Sequence, residues 1–81
     1  WDVSNVTTMY GMFNQASSFN QPLNDWDVSS VFTMDYMFFN TYVFNQDIGA
    51  WDVSNVTNCS YFSNNTPQWT LPQPNFTNCN P

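Results

Sequence analysis

Apolar and polar positions recur at a fixed interval along the chain. The phrase Trp-Asp-Val-Ser begins at Trp1, at Trp26 and at Trp51, which sets a period of 25 residues. The match extends beyond this phrase, because "FNQ" begins at Phe19 and again at Phe44 in the same register. A fixed period of about 20 to 30 residues is typical of repeat arrays whose units bury their apolar faces against one another. We therefore predict an α/β repeat solenoid of short leucine-rich-repeat-like coils.

The pattern within one coil predicts a strand, a short helix and a turn. Trp26, Val28 and Val31 follow the strand spacing of a leucine-rich repeat, so the strand is expected around Trp-Asp-Val. Apolar residues at i, i+3, i+4 and i+7 then predict a short amphipathic helix over 9–16. The Ser, Asn, Pro and Asp residues of "SSFNQPLND" predict a turn that leads back to the next strand.

The repeat divides the chain into three coils and a tail. The solenoid is expected over 1–72, with coils at 1–25, 26–50 and 51–72. Residues 73–81 have no counterpart in the earlier copies. We expect this tail to cap the C-terminal edge, because an uncovered terminal coil exposes apolar side chains and unpaired backbone groups to water.

The stretch "WDVSNVTTMYGMF", followed by "SSFNQPL", resembles the short repeat of BspA-type leucine-rich-repeat surface proteins. The resemblance covers roughly residues 1–62. It implies an extracellular or cell-surface solenoid that serves in adhesion and attachment, with no catalytic residues to carry over.

The charge balance narrows the classes of function. The chain has six acidic residues, all Asp, and no Lys, Arg or His, which gives a net charge of −6. Nucleic acid is excluded as a partner, since affinity for a polyphosphate comes largely from cationic side chains. The chain also lacks His and Lys, the usual proton carriers near neutral pH, so we predict that it is not an enzyme. No apolar run approaches about 20 residues, and no membrane insertion is predicted.

Two cysteines lie in and just after the last copy, at Cys59 and Cys79. The absence of His and of C-x-x-C spacing argues against a metal or redox site. We predict a disulfide that ties the tail to the last coil, and therefore an extracellular or cell-surface location.

Sequons for N-linked glycosylation are the next candidate sites. Asn64 and Asn75 lie in Pro-, Asn- and Thr-rich segments that are expected to be solvent-facing loops. Asn5 and Asn55 belong to the repeat consensus, where they serve either as acceptors or to hydrogen-bond the turn after the strand. A further sequon at Asn58 is crowded by the adjacent cysteine. We predict N-linked glycans at one or more of Asn5, Asn55, Asn64 and Asn75.

Asp2, Asp27 and Asp52 occupy the same place in successive copies and are expected to form a ladder of like charges. Either of two arrangements would offset the repulsion between these carboxylates. Each carboxylate accepts hydrogen bonds from the serine two residues further on or from the backbone, or a Ca²⁺ ion is shared along the ladder. We predict no resident metal or cofactor, and Ca²⁺ on this ladder is the one alternative that the sequence raises.

The sequence contains more aromatic residues than two or three thin coils can bury. The repeat-equivalent Trp and Phe residues are expected in the core. The others are candidates for a contact surface that stacks on sugar rings or packs on a protein. These candidates are Tyr10, Tyr36, Phe39, Tyr42 and Trp69.

These features predict an extracellular structural protein that assembles head to tail with copies of itself into a filament or a linear surface array. The N-terminal edge has no evident cap, so it is covered either by the tail of a neighbouring molecule or by earlier repeats of a longer chain. The alternative function is a cell-surface adhesin that binds a protein or a glycan on its strand face. The residues expected at the assembly edge are Trp1, Val3, Val6, Pro74 and Phe76.

Overall fold

Turns and irregular segments, and not helices and strands, form the backbone in the computed structural model, which describes residues 2–81. Within this range there is no helix, and strand pairing is limited to isolated parallel bridges joining Thr8 to Thr33 and Thr33 to Asn58. The predicted α/β repeat solenoid of strand, helix and turn is therefore wrong. The chain instead forms a globule with extents of 26 × 26 × 19 Å. No helix in the described range is long and apolar enough to cross a membrane.

The predicted helix over 9–16 is replaced by a run of turns at 10–15. Gly11 and Gln15 have φ angles of +60° and +62°, which a right-handed helix does not accommodate. Alternate N–H groups of this segment, at Gly11, Phe13 and Gln15, bond to the adjacent copy. The N–H of Gly11 donates to the carbonyl oxygen of Asp35 at 2.8 Å, and not to a carbonyl one turn back along its own segment.

Among residues 2–81 the predicted strand around Trp-Asp-Val is also absent, and a turn follows at 4–5, 29–30 and 54–55. The N–H of Val31 donates to the carbonyl of Val28 at 3.0 Å, and the N–H of Val56 donates to that of Val53 at 3.0 Å. These local bonds replace the ladder that a leucine-rich-repeat strand would make. Without that ladder there is no strand face of the kind predicted for the adhesin.

The 25-residue period nevertheless sets contacts between the copies. The N–H of Asn45 donates to Oδ1 of Asn20 at 2.9 Å, and the N–H of Thr70 donates to Oδ1 of Asn45 at 2.9 Å. Two asparagines at one register position thus link three successive copies. The sequence repeat therefore predicts which residues meet, although the elements that hold them differ from those expected.

The core is centred on Phe38, whose side chain is fully buried. Its ring lies 4.4 Å from that of Phe44 and 5.1 Å from that of Trp69, measured between ring centroids. The core positions predicted for Trp51 and Phe44 are confirmed, since both are buried. Trp69 was predicted to be an exposed contact residue, and this is wrong because its ring packs edge-on against Phe38 and Phe44.

Candidate functional site

The disulfide predicted between Cys59 and Cys79 is present, with a separation of 6.0 Å between the Cα atoms. It closes a loop across a sequence separation of 20. Cys59 is buried in the core, whereas Cys79 lies at its margin. The bond is consistent with an extracellular or cell-surface location, since disulfides persist in oxidising compartments.

The tail over 73–81 makes a hydrogen bond to the last copy that matches a bond between two earlier copies. The side-chain amide of Asn78 donates to the carbonyl of Ser54 at 2.6 Å. One copy earlier, the side-chain amide of Asn55 makes the equivalent bond to the carbonyl of Ser29 at 2.8 Å. The tail thus satisfies a carbonyl group that an additional copy would otherwise bind.

Four of the five residues predicted at the assembly edge are buried in the chain's own fold or packed against its core. Pro74 and Val3 are buried, and Phe76 packs against Phe62 with 4.9 Å between ring centroids. Val6 is half-buried against the core. Trp1 lies outside the described residues. The side chains of Pro74 and Phe76 are therefore packed within the molecule.

A ladder of backbone hydrogen bonds joins the turn runs of the three copies in one direction. The first copy donates and the second accepts, and the second copy then donates to the third. The first step joins Gly11 to Asp35, Phe13 to Met37 and Gln15 to Phe39, each at 2.8 Å. The second step joins Tyr36 to Ser60 at 2.9 Å, Phe38 to Phe62 at 2.9 Å and Asn40 to Asn64 at 3.1 Å.

This direction leaves one row of donors without acceptors. In the third copy, the N–H groups of Tyr61, Ser63 and Asn65 hold the positions of the donors above, and no acceptor in residues 2–81 takes them. We call these three N–H groups the donor edge. A groove of about 560 Å³ runs beside them, lined by residues 60–64 and Pro81.

The opposite side of the molecule carries the matching acceptors. In the first copy, the carbonyl groups of Tyr10, Met12 and Asn14 hold the register positions that accept in the other two copies. No donor in the described part of the chain reaches them. We call these three carbonyl groups the acceptor edge. The two edges have the same spacing and opposite hydrogen-bonding roles.

The three repeat-equivalent aspartates are held by the serine two residues further on, as one of the two explanations predicts. Oδ1 of Asp27 accepts from the Ser29 hydroxyl at 2.6 Å and from its N–H at 3.0 Å. Asp2 and Asp52 make the same pair of bonds to Ser4 and Ser54. The serine hydroxyl and then the backbone N–H lower the pKa of all three carboxyl groups. The neighbouring Asp52 and Asp2 charges oppose this effect on the pKa of Asp27, and they are weaker.

Replacing Ser29 by alanine is expected to raise the pKa of Asp27, because the hydroxyl is the strongest influence that lowers it. Carbon-detected NMR titration of the Asp27 carboxyl group measures the change. The matched control is Ser30→Ala, which removes a neighbouring hydroxyl that makes no bond to Asp27. An unchanged pKa of Asp27 in the Ser29 variant would show that the hydroxyl does not stabilise the carboxylate.

The same lowered pKa values fix the sign of the pH dependence of stability. A carboxyl group with a lower pKa in the folded state stabilises the fold above the unfolded pKa of about 3.9. That contribution is lost as the pH falls through the folded pKa. The three aspartates therefore add to stability at neutral pH and cease to do so in acid.

No group of three or more His, Cys, Asp or Glu side chains within residues 2–81 is arranged to hold a metal ion. The serine bonds account for the aspartate ladder without a cation. Calcium binding by Asp2, Asp27 and Asp52 stays the alternative to the predicted absence of a cofactor, and a rise in melting temperature with millimolar Ca²⁺ tests it.

The four asparagines predicted to accept glycans are exposed, but their side chains are engaged differently. The amide of Asn55 donates to the carbonyl of Ser29 at 2.8 Å, so a glycan there would replace that bond. Asn5, Asn64 and Asn75 are exposed, and no such bond holds their amide groups in the described residues. Glycosylation stays a prediction, and the three unengaged asparagines are the better acceptors.

Sequence reasoning missed the residues with positive φ that shape the turn runs. They recur at two register positions. The first is held by Gly11, Tyr36 and Tyr61, and the second by Gln15, Asn40 and Asn65. A signal was available at the second position, because two of its three residues are Asn, which is enriched in the left-handed region. At the first position Gly11 gave a signal in the first copy, but the tyrosines of the other two copies gave none, since tyrosine rarely adopts that conformation.

Comparison with known proteins places the chain in a family of repeat-containing proteins. A family model described as "Mycoplasma protein of unknown function, DUF285" matches residues 1–78. The chain belongs to this family, which is found in BspA-like surface proteins. No curated protein and no solved structure matches the chain.

Proposed function

We propose that this chain is an extracellular structural protein that associates head to tail, with the donor edge of one molecule on the acceptor edge of the next. The observation that carries the proposal is the match between the edges. Tyr61, Ser63 and Asn65 present N–H groups, and Tyr10, Met12 and Asn14 present carbonyls at the same register positions. The internal ladder joins these positions twice already, at 2.8 to 3.1 Å. An exposed row of unpaired backbone groups is a template for pairing with another chain.

Such a contact joins two different surfaces of the molecule. Repeating it adds molecules in one direction, which produces an open filament unless the rotation closes a ring. The net charge of −6, without any cationic residue, opposes side-by-side association. Salt at physiological ionic strength screens repulsion beyond about 8 Å, while hydrogen bonds at the edges are retained.

A second candidate function is that of a surface binding module, the alternative predicted from the sequence. Exposed aromatic side chains favour it, since Tyr10 and Tyr61 are 62% and 52% exposed. The predicted strand face is absent from the described residues, so these aromatic residues would provide the contact surface instead.

Charged residues placed at matching positions on the two edges test the assembly. In the proposed contact, Asn14 of one molecule lies beside Asn64 of the next, about 4.8 Å apart as in neighbouring strands. The variant N14D/N64D puts like charges together and is expected to sediment as a monomer at concentrations where the parent chain forms oligomers. N14D/N64K pairs opposite charges and is expected to restore the oligomers.

The matched control is S30D/V43D, which adds the same two charges to exposed positions of the middle copy. It is expected to assemble like the parent chain. All proteins are produced without glycosylation, because the Asn64 changes remove a sequon. A parent chain that stays monomeric up to millimolar concentration at physiological salt, or equal assembly of N14D/N64D and the parent, would refute the proposal.

A further inference from the structure

Four aromatic side chains lie in contact at the surface, two of them exposed (Tyr10 and Tyr61) and two half-buried (Tyr36 and Phe39), and we call them the aromatic face. The Tyr36 ring lies 5.8 Å from Tyr10 and 5.2 Å from Tyr61, and 5.4 Å from Phe39, between centroids. Phe39 also meets Tyr61 edge-on at 6.3 Å. Tyr10 and Tyr61, at the ends of the row, are more than half exposed. Core packing therefore does not account for this cluster.

The backbone under the aromatic face is strained. Tyr36 and Tyr61 have φ angles of +59° and +56°, at the register position that Gly11 occupies in the first copy with φ of +60°. A left-handed conformation is unfavourable for a residue with a Cβ atom and costs glycine little. Strain of this kind clusters at functional sites, where the surrounding structure maintains it. Two tyrosines are thus kept where glycine would fit better.

A carboxylate lies at the margin of the same face. Oδ1 of Asp35 accepts from the N–H of Ser60 at 2.7 Å, which places it beside the residue that precedes Tyr61. Asp35 also holds, in the middle copy, the register position of Tyr10 in the first. The sequence that carries these rings and this carboxylate has a net charge of −6 and no cationic side chain.

We infer that the aromatic face binds cationic side chains of a partner protein, with arginine guanidinium groups stacked on the tyrosine rings and attracted by Asp35. Aromatic faces attract cations through their quadrupole, and guanidinium groups are the side chains that stack on them most readily. These 81 residues contain no Lys, Arg or His to occupy the face, so a cation that binds there comes from outside them. This inference deepens the second candidate function, the binding module, and does not depend on head-to-tail assembly.

A capped hexa-arginine peptide is the probe, and its dissociation constant is measured by titration calorimetry at physiological salt. The test variant is Y36G/Y61G. It removes two rings, keeps the net charge, and places glycine where φ is positive, so the fold is expected to be retained. We expect peptide affinity to fall at least tenfold in this variant and about threefold in Asp35→Asn. The matched control F32A/Y42A removes exposed aromatic rings elsewhere and is expected to bind like the parent chain.

The outcomes separate the inference from its alternatives. Equal binding by Y36G/Y61G and the parent would show that net charge alone attracts the peptide, and it would overturn the inference. Failure of the parent to bind would also overturn it. Binding of neutral cellohexaose, lost in Y36G/Y61G and not accompanied by peptide binding, would assign the face to glycans; the binding-module function would then survive while this inference fails.

Discussion

Replacing Phe38 by alanine is expected to leave the chain largely unfolded at room temperature. The side chain is fully buried, and its ring contacts those of Phe13, Phe44 and Phe62 as well as two tryptophans. Truncating a buried phenylalanine costs about 3 to 5 kcal/mol, because both the transfer free energy and the packing around the cavity are lost. A core of this size rarely supplies more than about 3 to 5 kcal/mol of net stability. Chemical denaturation followed by tryptophan fluorescence measures the loss.

Phe32→Ala is the matched control, since it makes the same chemical change at a residue that is 48% exposed. Its expected effect on the free energy of unfolding is below about 1 kcal/mol. Similar losses in the two variants would contradict the assignment of Phe38 to the centre of the core.

Removing the disulfide is expected to lower the free energy of unfolding by about 3 kcal/mol, the value expected for a loop of this length. The variant C59A/C79A avoids leaving a free thiol, and the disulfide joins the only two cysteines in the sequence. The bond limits the unfolded chain and also holds the tail against Phe62. Thermal and denaturant unfolding of the oxidised proteins measure the difference.

Reductant provides the control for this prediction. Dithiothreitol is expected to destabilise the parent chain toward the level of C59A/C79A, and to leave the variant itself unchanged. A parent chain with the same stability in oxidant and reductant would mean that the bond contributes nothing to the fold.

The sequence of this protein predicts which residues are in contact or buried better than it predicts helices and strands. The spacing of Cys59 and Cys79 led to the disulfide, and the 25-residue register led to the core positions of Phe44 and Trp51. Both rest on side-chain chemistry and on burial, which do not require a particular backbone conformation. The register also puts Asn20 and Asn45 at equivalent positions of successive copies, although the hydrogen bond between them was not predicted.

The helix was predicted wrongly because an apolar stripe reports burial without fixing the backbone. In the second copy, the stripe Met34, Met37 and Phe38 is fully buried, as a helix would bury it. Residues 35–40 are nevertheless turns, with positive φ at Tyr36 and Asn40. Hydrogen bonds to the adjacent copies replace helical ones at these positions. The spacing of apolar residues alone does not show whether a backbone N–H group bonds within its own segment or to an adjacent copy.

The donor edge and the acceptor edge could not be predicted from the sequence. The prediction placed assembly on Pro74 and Phe76, whose side chains the structure places against the chain's own core region. Backbone N–H and carbonyl groups are identical in every residue, so their free or paired state follows only from the fold. The aromatic candidates for a contact surface were easier to anticipate, since Tyr10, Tyr36 and Phe39 lie together, although Trp69 is buried.

Amide hydrogen exchange at the donor edge tests head-to-tail assembly most directly. The N–H groups of Tyr61, Ser63 and Asn65 have no acceptor in the described chain, so in dilute solution they should exchange quickly. The proposal predicts that their exchange slows as the parent chain is concentrated, while N14D/N64D shows no change. Exchange that stays equally fast at both concentrations in the parent chain would contradict the proposal.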